Sequence, residues 1–348
     1  MARKLSFGVL GAGGIARRKT IPGMLKAKNC RLAAVMDPVA IEAIAAEHHV
    51  PGYSTVEALL ADPNVEAVYI ASPVACHAEQ ICQCAAAGKH VLCEKPLTLT
   101  LEQARAAVEA CRAAGVFLQE GYMMKFHGAH RRIKELIDAG ELGQIVFLRA
   151  QLACWYPPIA GAWRQDPAQG GGGALIDMAS HLYDLLEHFA GPIRRVSALT
   201  GNLVQAYRSE DASTTLLEFD GAQGVVDAFF CVPDDASRTR LEIYGTRGAV
   251  LSEGTIGQGS GGRLEAILGL GQAGYDAGQN KDAAPKFQKL RFKAVNPYTA
   301  ECEHFARCVL ERQPPEINGP QASLHLMQVI ETAYASARTG QTLAMPPI

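Results

Sequence analysis

The segment Leu5-Ser6-Phe7-Gly8-Val9-Leu10-Gly11-Ala12-Gly13-Gly14-Ile15-Ala16 constrains this chain more than any other. A mostly apolar run ends on a GxGxxA pattern, and a helix-forming stretch follows. Gly11 permits a tight turn, Gly13 lets the backbone approach a pyrophosphate, and Ala16 is small enough for close helix–strand packing. The N–H groups opening the next helix, at Gly14 and Ile15, then face the phosphates. A plain glycine turn is the bland alternative. The context favours a nucleotide: a strand before, a helix after, and an acidic residue about 20 positions on. The pattern also accounts for the leader-like start, in which Met1-Ala2-Arg3-Lys4 precedes an apolar run. Arg17-Arg18-Lys19 stands where a cleavage site would need small residues.

The acidic residue is Asp37, in Val35-Met36-Asp37-Pro38. A carboxylate there accepts hydrogen bonds from the adenosine ribose and repels a 2′-phosphate. No Arg or Lys follows closely, which favours NAD over NADP. Capping the helix after Pro38 is an alternative role, and one residue can serve both.

Strand and helix patterns alternate through the first third. Apolar runs at Leu5–Leu10, Leu32–Met36, Ala67–Ile70, His90–Cys93 and Val116–Gln119 enclose helical patterns at Ala40–His49, Ala75–Ala87 and Leu101–Ala114. That spacing predicts parallel βαβ units covered on both faces. After Gly121 the rhythm changes. A helix pattern at Ala129–Ala139 is followed by β-rich runs at Ile145–Ala153, Val196–Leu199, Thr214–Phe219, Val225–Cys231, Arg240–Tyr244 and Ala249–Leu251. Short connections between them favour antiparallel pairing. A strong helix at Ala174–Phe189 interrupts the series, and two more close the chain near Tyr298–Glu311 and Ala322–Ala337. The Gly-rich stretch Gly254–Asn280 reads as a loop insertion. The 348 residues thus divide into segments 1–121 and 122–348.

Composition narrows the partners. The net charge is −2, and no basic–aromatic cluster is present, so a nucleic-acid or membrane surface is not expected. No apolar stretch is long enough for a membrane span. Ten scattered cysteines without a CxxC read as reduced thiols in a cytoplasmic protein.

Two further motifs carry chemistry. Glu94-Lys95-Pro96 follows a strand, where open α/β sheets bind ligands, so Lys95 can reach a cofactor or substrate. In Gly170-Gly171-Gly172-Gly173-Ala174-Leu175-Ile176-Asp177-Met178-Ala179-Ser180-His181-Leu182-Tyr183-Asp184, helical spacing puts Asp177, His181 and Asp184 on one face. A carboxylate one turn from an imidazole can orient it and raise its basicity. A dipole-facing Asp and a satisfied half-buried His are the alternative. No metal is expected: the Cys and His spacings do not suit adjacent ligands, and the Asp177, His181 and Asp184 face is the one plausible ligand set. There is no GxSxG elbow.

In their order the motifs resemble the glucose–fructose oxidoreductase / inositol dehydrogenase (Gfo/Idh/MocA) family over nearly the whole chain. The likeness includes Ala71-Ser72-Pro73 with His77, Glu120-Gly121-Tyr122-Met123-Met124-Lys125-Phe126-His127 and Trp163-Arg164. It implies an N-terminal Rossmann domain with a parallel sheet and a C-terminal α+β domain with an open, mostly antiparallel sheet. It implies reversible oxidation by NAD of a sugar or cyclitol hydroxyl, with Lys95, Asp177 and His181 around the reacting carbon. Further cofactor contacts are implied at Ser72, Pro73, His77, Glu94, Trp163 and Arg164. Substrate contacts are implied at Lys95, Lys125, His127, Tyr156, Arg164, Asp177 and His181. Lys125 stands where many relatives carry Arg. The resemblance also implies a cis Lys95–Pro96 bond and a homodimer or homotetramer. The sugar pocket is expected from the loop Cys154–Gln169, with Trp155 and Tyr156, and from Tyr298.

Hydride transfer needs a base for the hydroxyl proton and a donor for the developing alkoxide. His181 oriented by Asp177 is the expected base, with Asp177 raising its pKa, and Lys95 the donor; the reverse assignment stays open. An NAD-dependent glycosidase using transient oxidation and a non-catalytic NAD-binding module are the competing functions.

Overall fold

The computed structural model describes residues 3–39, 41–271 and 286–346. Its first sheet comprises β1 (Leu5–Leu10), β2 (Cys30–Met36), β3 (Gly52–Tyr53), β4 (Ala67–Ile70), β5 (His90–Glu94) and β6 (Leu118–Gly121). They lie in the order β3-β2-β1-β4-β5-β6, all parallel. Every residue of β1 and β4 is buried, which explains their continuous apolar character. The order reverses between β1 and β4, the switch point beyond whose strand ends such sheets bind ligands. The two-residue β3 is too short to show a pattern, and the sequence reading missed it. Ala40, the first residue of one expected helix, lies outside the described residues.

The second sheet has nine strands: β7 (Ile145–Ala153), β8 (Arg195–Gly201), β9 (Ala212–Phe219), β10 (Ala222–Phe229), β11 (Arg240–Gly245), β12 (Gly248–Glu253), β13 (Arg263–Ile267), β14 (Gln288–Lys289) and β15 (Leu343–Ala344). Their order is β14-β13-β12-β11-β7-β10-β9-β8-β15, and only β7–β10 is parallel among the described pairs. β13 corrects the reading of Gly254–Asn280 as a pure loop. Leu264 and Ala266 alternate inward there, a short signal hidden among glycines. Residues 272–280 of that stretch lie outside the described residues.

Register explains how this sheet is covered. One row runs Ala198, Thr215, Val226, Ala150, Leu241, Ser252 and Leu264, all buried. Helices Ser180–Ala190 and Pro320–Thr339 pack against the sheet. The alternate positions face the other way. There Leu199 is 72% exposed and Leu216 56%, with Phe147 and Val225 half-buried beside them.

The helix Pro297–Glu311 returns to the first sheet. Cys302, Phe305 and Ala306 share a buried cluster with Phe7, Cys30 and Leu32, and the Phe7 and Phe305 rings lie 6.0 Å apart. Asn296 caps this helix by accepting from Tyr298 and Thr299 N–H, with Pro297 at its first position.

Candidate active site

Gly11 leaves β1 with φ +72°, and a Cβ there would lie 2.6 Å from Ser72 N, so only glycine fits. Its N–H and that of Ala12 donate to Met36 O at 2.9 and 3.0 Å, fastening the loop to the end of β2. Asp37 closes the arrangement. Gly13 N–H donates to its Oδ2 at 2.8 Å and Val39 N–H to its Oδ1 at 3.0 Å. A Cβ on Gly13 would meet that carboxylate at 2.9 Å, whereas a Cβ on Gly14 would meet nothing within 4 Å. Ala16 is fully buried and opens a π turn, Ala16–Thr20. Gly14, Ile15 and Arg18 line one end of a cleft of about 520 Å³. These residues fit a dinucleotide: an unobstructed glycine, a cation beside it, and a carboxylate at the end of β2.

The same cleft is walled by Glu94, Lys95, Trp163, Arg164, Asp177 and His181. Lys95 follows β5, and its bond to Pro96 is cis, as the resemblance implied. Its Nζ donates to Asp177 Oδ1 at 2.8 Å and to Asp177 O at 2.6 Å. Arg164 Nε donates to the same Oδ1 at 3.1 Å, and its guanidinium lies 4.1 Å from the Trp163 ring centre. Burial pushes the Asp177 pKa up, but Lys95 and Arg164 outweigh it and hold the carboxyl well below the usual range. Glu94 accepts from the Tyr69 hydroxyl. Ser72 lines the cleft and donates to Gln80, and the buried His77 ring spans the Ser72 and Pro96 carbonyls.

The expected relation between Asp177 and His181 is corrected. Asp177 is engaged by the two cations, and His181 Nδ1 is buried with no hydrogen-bond partner among the described residues. Burial first, then Lys95 and Arg164, lower the His181 pKa well below the ordinary value, against the upward pull of Asp177. The imidazole is therefore neutral, which is the form that accepts a proton.

Other expectations shift for traceable reasons. Asp177 lies in a π turn, Leu175–Ala179, which changes the helical phase before Asp184. Asp184 leaves the cleft and pairs with Lys125 at 2.6 Å, while Lys125 also donates to Asn318 Oδ1 at 2.9 Å. Lys125 is thus engaged outside the cleft wall. His127 caps the helix Gly128–Asp138 and holds Gly261 O rather than lining the cleft. Pro73 precedes a short 3₁₀ turn, and neither it nor Trp155 is among the residues that line the cleft, whereas Tyr156 is. Tyr298 does line it. Arg18, Met123, Met124, Gly257 and Gln258 are lining residues that the sequence reading missed. Arg18 had a signal, as a cation one turn beyond the glycine loop; Gln258 had none.

Residues 5–122 match an oxidoreductase family with an NAD-binding Rossmann fold, and residues 130–251 match the GFO/IDH/MocA C-terminal domain. The chain belongs to the Gfo/Idh/MocA oxidoreductase family. Relatives of this Gfo/Idh/MocA protein include D-xylose 1-dehydrogenase (NADP(+)) 2 of Haloferax volcanii, 31% identical over 98% of this chain and 100% of its own. The scyllo-inositol 2-dehydrogenase (NAD(+)) of Bacillus subtilis is 30% identical over 99% of this chain and 97% of its own. Aldose-aldose oxidoreductase from Caulobacter crescentus superposes with a TM-score of 0.87 at 25% identity, over 98% of this chain and 100% of its own. This Gfo/Idh/MocA chain is therefore an NAD(P)-dependent oxidoreductase with an NAD-binding Rossmann domain.

The depressed pKa gives a direct prediction. In a histidine-resolved NMR titration the His181 ring should remain neutral at about pH 6, where an ordinary histidine is mostly charged. An imidazolium signal for His181 at that pH would contradict the assignment.

Proposed function

We propose that this enzyme reversibly oxidises a ring hydroxyl of a sugar, sugar derivative or cyclitol to a ketone. The observation that carries the reading is one cleft joining the Gly14–Arg18 end to the Lys95–Asp177 ion pair and to His181. NAD, held at the Gly14–Arg18 end, would supply the acceptor for a hydride from the carbinol carbon. Lys95 has three donors, two of them given to Asp177, and the third serves the substrate oxygen as negative charge develops on it. His181 accepts the hydroxyl proton. Asp177 keeps Lys95 and Arg164 paired and placed, which argues against Lys95 as the base. The aromatic side chains of Tyr156 and Trp163 in the cleft lining suit a pyranose or cyclitol. Ten unpaired cysteines support a cytoplasmic setting.

Substrate profiling with purified enzyme and NAD tests the reading: a sugar or cyclitol should produce NADH, and no turnover across such a panel would refute it. His181→Ala should lower kcat/KM by about 10²–10⁴ and remove the acidic limb of the pH profile. That limb arises because oxidation needs neutral imidazole, so the rate falls as pH drops through a pKa well below 6.5. Lys95→Ala should be comparably damaging but keep the limb. The opposite pattern would make lysine the base.

The relatives divide between NAD and NADP, and the carboxylate of Asp37 favours NAD here. Its carboxylate, fixed by Gly13 and Val39, would face a 2′-phosphate. NAD should give the higher kcat/KM, and Asp37→Ser should narrow the gap mainly through KM, because the ribose lies far from the reacting carbon. An NADP preference in the unaltered enzyme would overturn this.

We propose that the open sheet face joins copies into a homodimer or homotetramer. The apolar side chains of Leu199, Leu216, Phe147 and Val225 on that face support it. Light scattering at micromolar concentration should show an oligomer that Leu216→Glu dissociates; a monomeric parent enzyme would refute it.

A further inference from the structure

We propose that the glycine-rich loop joining β12 to β13 is a specificity wall, tethered by His127 and His130, in which Gln258 binds a hydroxyl of the substrate. The inference rests on the polyol dehydrogenase reading above.

Gly257 and Gln258 line the same cleft as Lys95 and His181. They are held there from behind. Thr255 and Ile256, just before them, are buried at 2% and 4% exposure. Thr255 Oγ1 lies 2.7 Å from Ser252 Oγ and 3.1 Å from His130 Nε2, and His130 Nδ1 donates to Met124 O at 2.8 Å. At the far side of the loop, His127 Nε2 donates to Gly261 O at 3.1 Å, while His127 Nδ1 accepts from Ala129 N–H at 3.1 Å. The neutral ring with its proton on Nε2 satisfies both partners. The two rings are 5.0 Å apart near the start of one helix. Met124, whose carbonyl His130 holds, also lines the cleft, so the pair of histidines ties two parts of its wall together. The loop conformation demands its glycines: Gly257 and Gly262 have φ +129° and +128°, and a Cβ on Gly262 would meet Thr255 Cγ2 at 2.6 Å.

The loop belongs to the second sheet, which also supplies Leu152 and, just past the end of β10, Phe230 to the cleft, whereas the phosphate end is built by the first. Substrate, rather than the pyrophosphate, is the ligand this wall meets. A glutamine amide both donates and accepts, matching a hydroxyl that does the same. It selects an uncharged polyol edge and gives no charge pairing to an acidic group. His127 is on this account a positioning residue.

Two variants separate the tether from the fold. Asn at 127 can still cap the helix, but its shorter side chain does not reach Gly261 O. His127→Asn should therefore lower the melting temperature less than His127→Ala does, while hydrogen exchange at residues 254–262 rises about tenfold. His127→Asn and Gln258→Ala should each raise KM for the best substrate about three- to tenfold, with kcat within about twofold. NAD affinity, measured by direct titration without substrate, should not change. His127→Ala should show the same KM and also melt lower. Unaltered exchange in His127→Asn, an unaltered KM in Gln258→Ala, or lost NAD affinity in place of the KM effect would each overturn the proposal. The exchange measurement needs no substrate. Failure of the tether is thus distinct from failure of the dehydrogenase reading, which would appear as a wild-type enzyme without polyol turnover.

Discussion

Asp177 places one negative charge between two cations drawn from different parts of the chain. Lys95 arrives from the end of the first sheet, Arg164 from the segment after β7, and Asp177 from the helix laid on the second sheet. Burying such a cluster costs desolvation energy, and removing one member of a buried pair typically costs about 3–5 kcal/mol because the partner's charge is stranded. The cluster therefore registers the two sheets against each other at the site of chemistry. Burial first, and then the two cations, lower the pKa of His181 beside it, against the opposing pull of Asp177.

Behind this site lies a second buried set. Lys125 sits between Asp184 and Asn318, and Asn318 in turn donates to Tyr122 O. Burial raises the Asp184 pKa to about 6 despite the lysine, and that of nearby Glu120 to about 8. The lysine is structural in this arrangement, joining the turn before one helix to the helix that carries His181. Substituting the longer, forked guanidinium of arginine would require the pocket to be rebuilt.

Features encoded over short spans were legible in the sequence. The turn at Gly11, the small Ala16 and the carboxylate of Asp37 act on neighbours in one βαβ unit, and strands β1 and β4 show the apolar runs that their burial requires. The reading weakened where a side chain's direction depends on distant partners. Along Met123-Met124-Lys125-Phe126-His127, the first two residues line the cleft while Lys125 and His127 turn to Asp184 and Gly261. Sequence proximity to a motif did not separate them. The i, i+4 spacing of Asp177 and His181 suggested a pair, but the electrostatics went to cations 82 and 13 positions away. Gln258 was hidden because its loop acquires a position only when β12 and β13 pair.

The returning helix Pro297–Glu311 has a consequence for how such a protein can be divided. It is threaded into the first half by more than packing: Asn29 donates to Glu303 O, Lys28 N–H to the Glu303 carboxylate, and Thr299 to Gly23 O. A Cβ on Gly23 would sit 3.0 Å from Thr299 N, so the two backbones are in direct contact. The nucleotide-binding half is thus discontinuous in the gene. A fragment ending near Gly121 would leave Phe7 and Cys30 open to water along the seam that this helix seals. Recombination between relatives would preserve that half only by exchanging two separate stretches of coding sequence together.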